Sequence, residues 1–314
     1  MKKTALFLIA MLLIGLNVAG AQETYRFAQR DTCDLYLDVF RPAEGSQTQL
    51  DGIPKPTILF VFGGGFIQGE RSGKWERMWY RRLNDNGYAV VSVDYRLGMK
   101  GYKVKKGLAG ALKAVDRFLL SQQVGVEDVY DAVAFLAANR ESIGIDTDNI
   151  VLAGSSAGAI ISLAAEYGIV NGKAQGLPEG FNFKGVMSFA GAVISTTGAP
   201  HFEKAPCPVL LLHGTADQAV QYNRLNVGGK GLWGSSWLVK DWQKKGYGNY
   251  CIYRFKDSSH DVAAYMNYLW DIEKAFLEQN VIQGHARCID AVVDDASLPR
   301  WGQLSMDDIY AKEK

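Results

Sequence analysis

The chain predicts an α/β fold: a mostly parallel, doubly wound sheet with helices on both faces and no large lid domain. Continuous apolar runs of strand length recur along it, at Thr57–Phe62, Ala89–Val93, Asn149–Ala153, Lys184–Ala190, Pro208–Leu212 and Cys251–Phe255. An unbroken apolar run is how a strand covered on both faces reads. Stretches of helical length separate several of these runs, and strands alternating with helices argue for a parallel sheet. No insertion long enough to build a lid stands between Ala190 and Pro208.

The elements follow in order. Met1-Lys2-Lys3 is a charged start, Ala5 to Gly15 is apolar, and Ala19-Gly20-Ala21 is an A-x-A site. This pattern predicts a signal peptide over residues 1–21 and export of one domain, 22–314. The apolar run is short for a membrane anchor and ends in small residues. Leu35, Leu37 and Val39 alternate with Tyr36, Asp38 and Phe40, so Tyr25 to Arg41 reads as an antiparallel hairpin. The Thr57 strand runs into Gly63-Gly64-Gly65. Trp75 to Asn86 is a crossover helix ended by Gly87. Gly107 to Gln122 and Glu127 to Glu141 read as two helices or one interrupted helix. Ala159 to Glu166 is a helix after the Asn149 strand, and Tyr268 to Leu277 is a late helix.

Gly154-Ser155-Ser156-Ala157-Gly158 is the pattern G-x-S-x-G on a strand-to-helix junction, where a tight turn exposes the middle serine above the sheet. Three further strands end in matching chemistry: Gly63 to Gly65, then His213-Gly-Thr-Ala-Asp217, then Lys256-Asp-Ser-Ser-His260. In open α/β sheets, ligands bind beyond the carboxyl ends of the strands. Ser156, Asp217 and His260 are therefore expected to meet there as nucleophile, orienting acid and general base. Ala157, Gly64 and Gly65 are the expected backbone donors to a developing oxyanion. Each residue also has a plainer reading. Ser156 suits a helix N-cap, Asp217 an ordinary turn, and His260 a solvated loop, while Asp257 competes for the acid. The triple glycine lacks the spacing of a dinucleotide loop.

The order glycine loop, Ser, Asp, His is that of the α/β-hydrolases. The chain resembles an α/β-hydrolase carboxylesterase of the hormone-sensitive-lipase-like type, similar to secreted bacterial esterases of the feruloyl/acetyl kind. Asp94-Tyr95-Arg96-Leu97 resembles that family's D-Y-R-L segment. Val126 to Leu136 resembles the helix before the elbow, and Gly144 to Ile150 the lead-in to the nucleophile strand. The likeness runs from Leu35 to Leu277. The family usually has histidine just before its glycine run, and this chain has Phe62. The resemblance implies a serine hydrolase of short-chain or carbohydrate-borne esters that needs neither metal nor organic cofactor. The alternatives are a serine peptidase on the same scaffold and a catalytically silent binding protein.

A formal net charge of +1 provides no pull toward nucleic acid or an anionic membrane surface. An exported chain meets an oxidising compartment, and four cysteines allow three pairings. Cys207 and Cys251 each open a late strand, so Cys207–Cys251 with Cys33–Cys288 is one expectation, and four buried thiols the other. Of the remaining histidines, His213 is expected to pack or hydrogen-bond, His201 to sit at the surface and His285 to play no part. The basic loop Gly98 to Gly107 is expected to be solvated. Trp233, Trp237 and Trp242 serve either as core or as a stacking surface.

Overall fold

The computed structural model describes residues 22–302, so the expected leader at 1–21 lies outside it, as do residues 303–314. The hairpin is β1 (Gln22–Gln29) and β2 (Asp34–Phe40), paired antiparallel. A short ribbon, β3 (Gln49–Leu50) and β4 (Ile53–Pro54), precedes β5 (Thr57–Val61). Then come α1 (Lys74–Asp85), β6 (Val90–Val93), α2 (Leu108–Ala138), α3 (Arg140–Ile143), β7 (Ile150–Ser155) and α4 (Ala157–Val170). The second half holds β8 (Gly185–Phe189), β9 (Ala192–Ser195), β10 (Val209–Gly214), β11 (Arg224–Val227), β12 (Lys230–Gly234) and α5 (Ser235–Lys244). It closes with β13 (Tyr250–Phe255), a 3-10 helix His260–Asn267, α6 (Trp270–Ala275) running into a π-helical segment Phe276–Ile282, and β14 (Cys288–Val293).

Nine strands make the central sheet, in the order β1-β2-β6-β5-β7-β8-β10-β13-β14. From β6 to β14 every neighbouring pair is parallel, and the hairpin caps one edge antiparallel. β5, β6, β7, β8 and β10 are buried along their whole length, as their unbroken apolar runs require. On one face Trp79 of α1 packs edge-on to Phe60 and Phe189 and donates from its indole N–H to Glu273 of α6 at 2.6 Å. On the other, α2 and α4 pack together, and the Tyr130 hydroxyl donates to the Ala165 carbonyl at 2.6 Å.

Four departures from expectation have physical causes. α2 runs through Gly125 without a break; the glycine serves close helix packing, since a Cβ there would meet Ile161 of α4 at 2.5 Å. β14, missed in the sequence, pairs with β13 at the far edge; its alternating Ile289, Ala291 and Val293 are half-buried. β9, β11 and β12 form a small antiparallel sheet beside the main one. The expected helix from Tyr268 starts at Trp270, after a 3-10 turn that carries His260.

The disulfide expectation fails, since all four cysteines are free. Leu210 pairs with Cys251, which leaves Cys207 three positions out of register, about 10 Å along the strand. A bridge needs Cα atoms within roughly 7 Å. Cys33 lies in the β1–β2 turn and Cys288 opens β14, at opposite edges of the sheet. These two thiols are exposed and so not buried either.

Candidate active site

The parallel strands release the predicted residues on one side of the sheet. β5 leads into the glycine loop, β7 into Ser156, β10 into Asp217 and β13 into the turn before His260. Ser156 adopts φ +51°, ψ −115°, a region that β-carbon sterics disfavour, at a cost of order 1–3 kcal/mol. Side chains at 154 or 158 would make the turn impossible. A Cβ on Gly154 would strike the Gly158 backbone, and one on Gly158 would strike the Val61 carbonyl. Neighbours hold the strained residue, with the Ser156 N–H donating to Phe189 O at 2.9 Å and the Ser155 hydroxyl to Ala263 O at 2.6 Å.

Ser156 does occupy the N-cap of α4, but its hydroxyl makes no capping bond. It stands 2.8 Å from His260 Nε2, and His260 Nδ1 stands 2.7 Å from Asp217 Oδ2. All three residues are buried. The other Asp217 oxygen accepts from the N–H groups of Ala219 and Val220, both at 2.9 Å. Burial alone would raise the Asp217 carboxyl, but hydrogen bonds from His213 and then His260 outweigh it and hold it well below the usual carboxylate range. Asp257 is exposed and does not join this chain of bonds; its N–H donates to Thr215 Oγ1.

His213 packs and hydrogen-bonds, as the sequence predicts, but it does so against the acid itself. Fully buried, its Nε2–H donates to Val220 O at 2.9 Å and lies 3.4 Å from Asp217 Oδ2, while Nδ1 meets the Ser235 hydroxyl at 2.8 Å. His201 and His285 are exposed. Trp233 and Trp242 are core residues, and Trp237 packs edge-on to Trp233. The Gly98–Gly107 loop is solvated along most of its length, with Met99 buried.

The glycine loop lies over Ser155 and Ser156. Gly64 has φ +111°, and a Cβ there would collide with the Gln68 carbonyl. Ala157 opens α4, so its N–H belongs to a helix's first turn and has no partner within the helix. Where the family has histidine, Phe62 stacks on Tyr95 at 4.5 Å between ring centroids. The Tyr95 hydroxyl donates to the carbonyls of Phe62 (3.1 Å) and Gly63 (3.4 Å). Tyr95 thus braces the loop, a role the D-Y-R-L resemblance did not assign. Its neighbours fix the segment: Arg71 donates to Asp94 at 2.8 Å, and Arg96 to the buried Asp128 of α2 at 2.9 Å.

Ser156 and His260 open into a cleft of about 1030 Å³ bordered by the glycine loop, Glu70, Trp75, Glu76 and Trp301. Trp75 and Trp301 meet at 87° with centroids 6.3 Å apart, making an aromatic corner. The Trp301 N–H donates to Asp261 Oδ1 at 2.8 Å, which ties the rim to the residue after His260. Neither rim tryptophan is marked as a site residue in the sequence, because residues so far apart in the chain carry no shared pattern. Among the described residues no group of three or more His, Cys, Asp or Glu is arranged to hold a metal, and no helix is long and apolar enough to cross a membrane.

Comparison with known proteins agrees with this architecture. Chlorogenic acid esterase from Aspergillus niger is 32% identical over 137 residues, 43% of this chain and 24% of that protein. A probable isoprenylcysteine alpha-carbonyl methylesterase of Oryza sativa subsp. japonica is 25% identical over 226 residues, 60% of this chain and 48% of that protein. The chain thus spans less than half the length of either relative. In shape, the propionate-bound esterase Est2 of Thermogutta terrifontis superposes with a TM-score of 0.57 at 20% identity, over 82% of this chain and 94% of that one, a likeness of fold. The Carboxylesterase family profile matches residues 17–176, a stretch that holds the glycine loop and Ser156 and ends before Asp217 and His260. That match covers just over half of the 314 residues, and the chain belongs to the carboxylesterase family.

Proposed function

We propose that the protein hydrolyses carboxylic esters through an acyl-enzyme. The observation that carries this is the unbroken line of hydrogen bonds from Ser156 through His260 to Asp217, opening on the cleft. His260 Nε2 takes the Ser156 proton as Oγ attacks the ester carbonyl, then returns it to the departing alcohol. Water repeats the cycle: it yields a proton to His260, attacks the acyl carbon and releases the acid, and Ser156 is reprotonated. Asp217, ionised throughout, fixes the imidazole tautomer and stabilises the imidazolium. The N–H groups of Ala157, Gly64 and Gly65 receive the charge on the carbonyl oxygen, where each good donor contributes about 3–4 kcal/mol.

Short-chain or carbohydrate-borne esters are the proposed substrates. The cleft volume suits a substantial alcohol. The Trp75–Trp301 corner offers faces for the C–H side of a sugar ring, and Glu70 and Glu76 offer acceptors for hydroxyls. The charged start, the apolar run and the A-x-A site within residues 1–21 support an exported enzyme, whose mature chain would begin at Gln22.

Fluorophosphonate labelling of the folded protein tests the chemistry. One adduct is expected, on Ser156. Ser156→Ala should lose at least about 10³-fold in turnover of an aryl acetate with its melting temperature retained. A folded protein that takes no label is a binding module instead.

A further inference from the structure

Ser156 stands between two spaces of very different size. On the His260 side lies the open cleft of about 1030 Å³. Behind the nucleophile lies a small, partly open apolar pocket of about 20 Å³, walled by Phe118, Ile160, Ile194, Val220 and Leu232 beside Ala157. The small pocket is some fifty-fold smaller than the cleft on the same measure and takes the smaller, apolar half of an ester.

The chemistry of the reaction assigns an ester's two halves to these spaces. The leaving oxygen must receive its proton from His260 Nε2, so it lies within hydrogen-bond reach of that nitrogen. His260 borders the cleft and is absent from the small pocket. The alcohol therefore points into the cleft. The acyl substituent, on the opposite side of the reacting carbon, points between Ala157 and the apolar wall.

That wall is tied at its backbone. The buried Gln122 carboxamide clamps Ile194 from both directions, donating to its carbonyl at 3.2 Å and accepting from its N–H at 2.9 Å. The Val220 N–H is held by Asp217, and its carbonyl by His213, both at 2.9 Å. Phe118, Ile160, Ile194, Val220 and Leu232 are all buried. Close-packed interiors resist added methylenes, because neighbours must leave their rotamers or shift backbone to admit them.

We propose that this pocket is the acyl site and that it favours the smallest acids, making the natural substrates acetate esters of bulky alcohols. The inference rests on the reading of Ser156 as nucleophile. Phe118, Ile160, Ile194 and Leu232 set the limit, and the alcohol is the variable half.

The test uses the full chain and p-nitrophenyl acetate, propionate, butyrate and hexanoate, which share one leaving group. kcat/KM is expected to fall at least tenfold from acetate to butyrate and further to hexanoate. 1-Naphthyl acetate should be turned over within tenfold of phenyl acetate. Leu232→Ala should raise the butyrate-to-acetate ratio at least tenfold, and the milder Ile160→Val should move it the same way. Butyrate hydrolysed as well as acetate by the wild type overturns the acyl limit even if Ser156 takes a fluorophosphonate label. Absence of both label and turnover in folded protein overturns the nucleophile reading, and this inference with it.

Discussion

Asp217→Asn replaces one oxygen by an NH₂ group at almost constant shape. The retained carbonyl oxygen still accepts from the Ala219 and Val220 N–H groups at 2.9 Å. The new NH₂ then stands where Oδ2 accepted from His260 Nδ1 at 2.7 Å, and where His213 Nε2–H lies 3.4 Å away. Donor now faces donor. The pair bonds again only if His260 gives up its Nδ1 proton and carries one on Nε2, 2.8 Å from the Ser156 hydroxyl. The imidazole is then the wrong tautomer to accept a proton from Ser156. Loss of the productive tautomer costs about 10⁴ in kcat, close to 5.5 kcal/mol at 1.36 kcal/mol per decade. Asp217 does not border the cleft, so KM for an aryl acetate should change little. Steady-state kinetics with p-nitrophenyl acetate, beside a thermal melt, reads both quantities. Asp257→Asn is the control, since Asp257 is exposed and outside the bonded chain, and it should stay within about twofold. A folded Asp217→Asn enzyme with kcat within tenfold of wild type would refute the assignment of the acid, as would an Asp257→Asn enzyme that lost the activity.

Three other outcomes follow from the structure. Tyr95→Phe removes the hydroxyl that holds the Phe62 and Gly63 carbonyls; a hydrogen bond of about 1 kcal/mol should appear as a five- to tenfold lower kcat, and an unchanged kcat would deny Tyr95 its bracing role. Glu273 is fully buried, and burial pushes its carboxyl up to about 8 against a single bond from Trp79. The folded chain then keeps a proton that the unfolded chain loses near pH 4.5. The contribution of Glu273 to stability should therefore decline as the pH rises from there to about 8, by on the order of 1.4 kcal/mol for each pH unit. Glu273→Gln should match wild type in denaturant melts at pH 4 and exceed it at pH 8; equal stability at both values would reject the protonated carboxyl. Four thiols per chain should titrate after unfolding. In the native protein exposed Cys33 and Cys288 should react quickly, whereas Cys207 and Cys251 should react slowly, their thiols raised by burial, Cys251 to about 11.

The parallel core was legible because its strands are covered on both faces and therefore read as plain apolar runs. Leu210-Leu211-Leu212 and Ile58-Leu59-Phe60 admit no amphipathic reading. β14 was not legible, since an edge strand is half-buried and its alternation across Cys288–Val293 is diluted by Val292, an apolar residue on the exposed face. β9 escaped for a different cause. Ala192–Ser195 is too short to stand out, and what makes it a strand is pairing with β12, some forty residues away. Gly125 misled for a third reason: a glycine in a helix reads as a break, but its purpose lies on Ile161 of another helix.

The proposed nucleophile, acid and base were legible because each follows the end of a strand, and topology gathers strand ends on one edge without any pattern linking residues 156, 217 and 260. The layer that makes them work was not, since its members act through contacts local to the folded state. Tyr95 braces a loop reached from a neighbouring strand, Gln122 clamps a short strand from a helix, and His213 turns toward an acid on its own turn. The Val220 backbone joins two of these functions. Its N–H steadies the Asp217 carboxylate and its side chain walls the small pocket. A change that loosens the acyl wall there also loosens the acid that orients His260. Enlarging the pocket from the Leu232 or Ile160 side leaves the bonds to Asp217 in place, whereas displacing the Val220 backbone disturbs chain-length preference and turnover together. Specificity and catalysis are separable on one wall of the pocket and joined on the other.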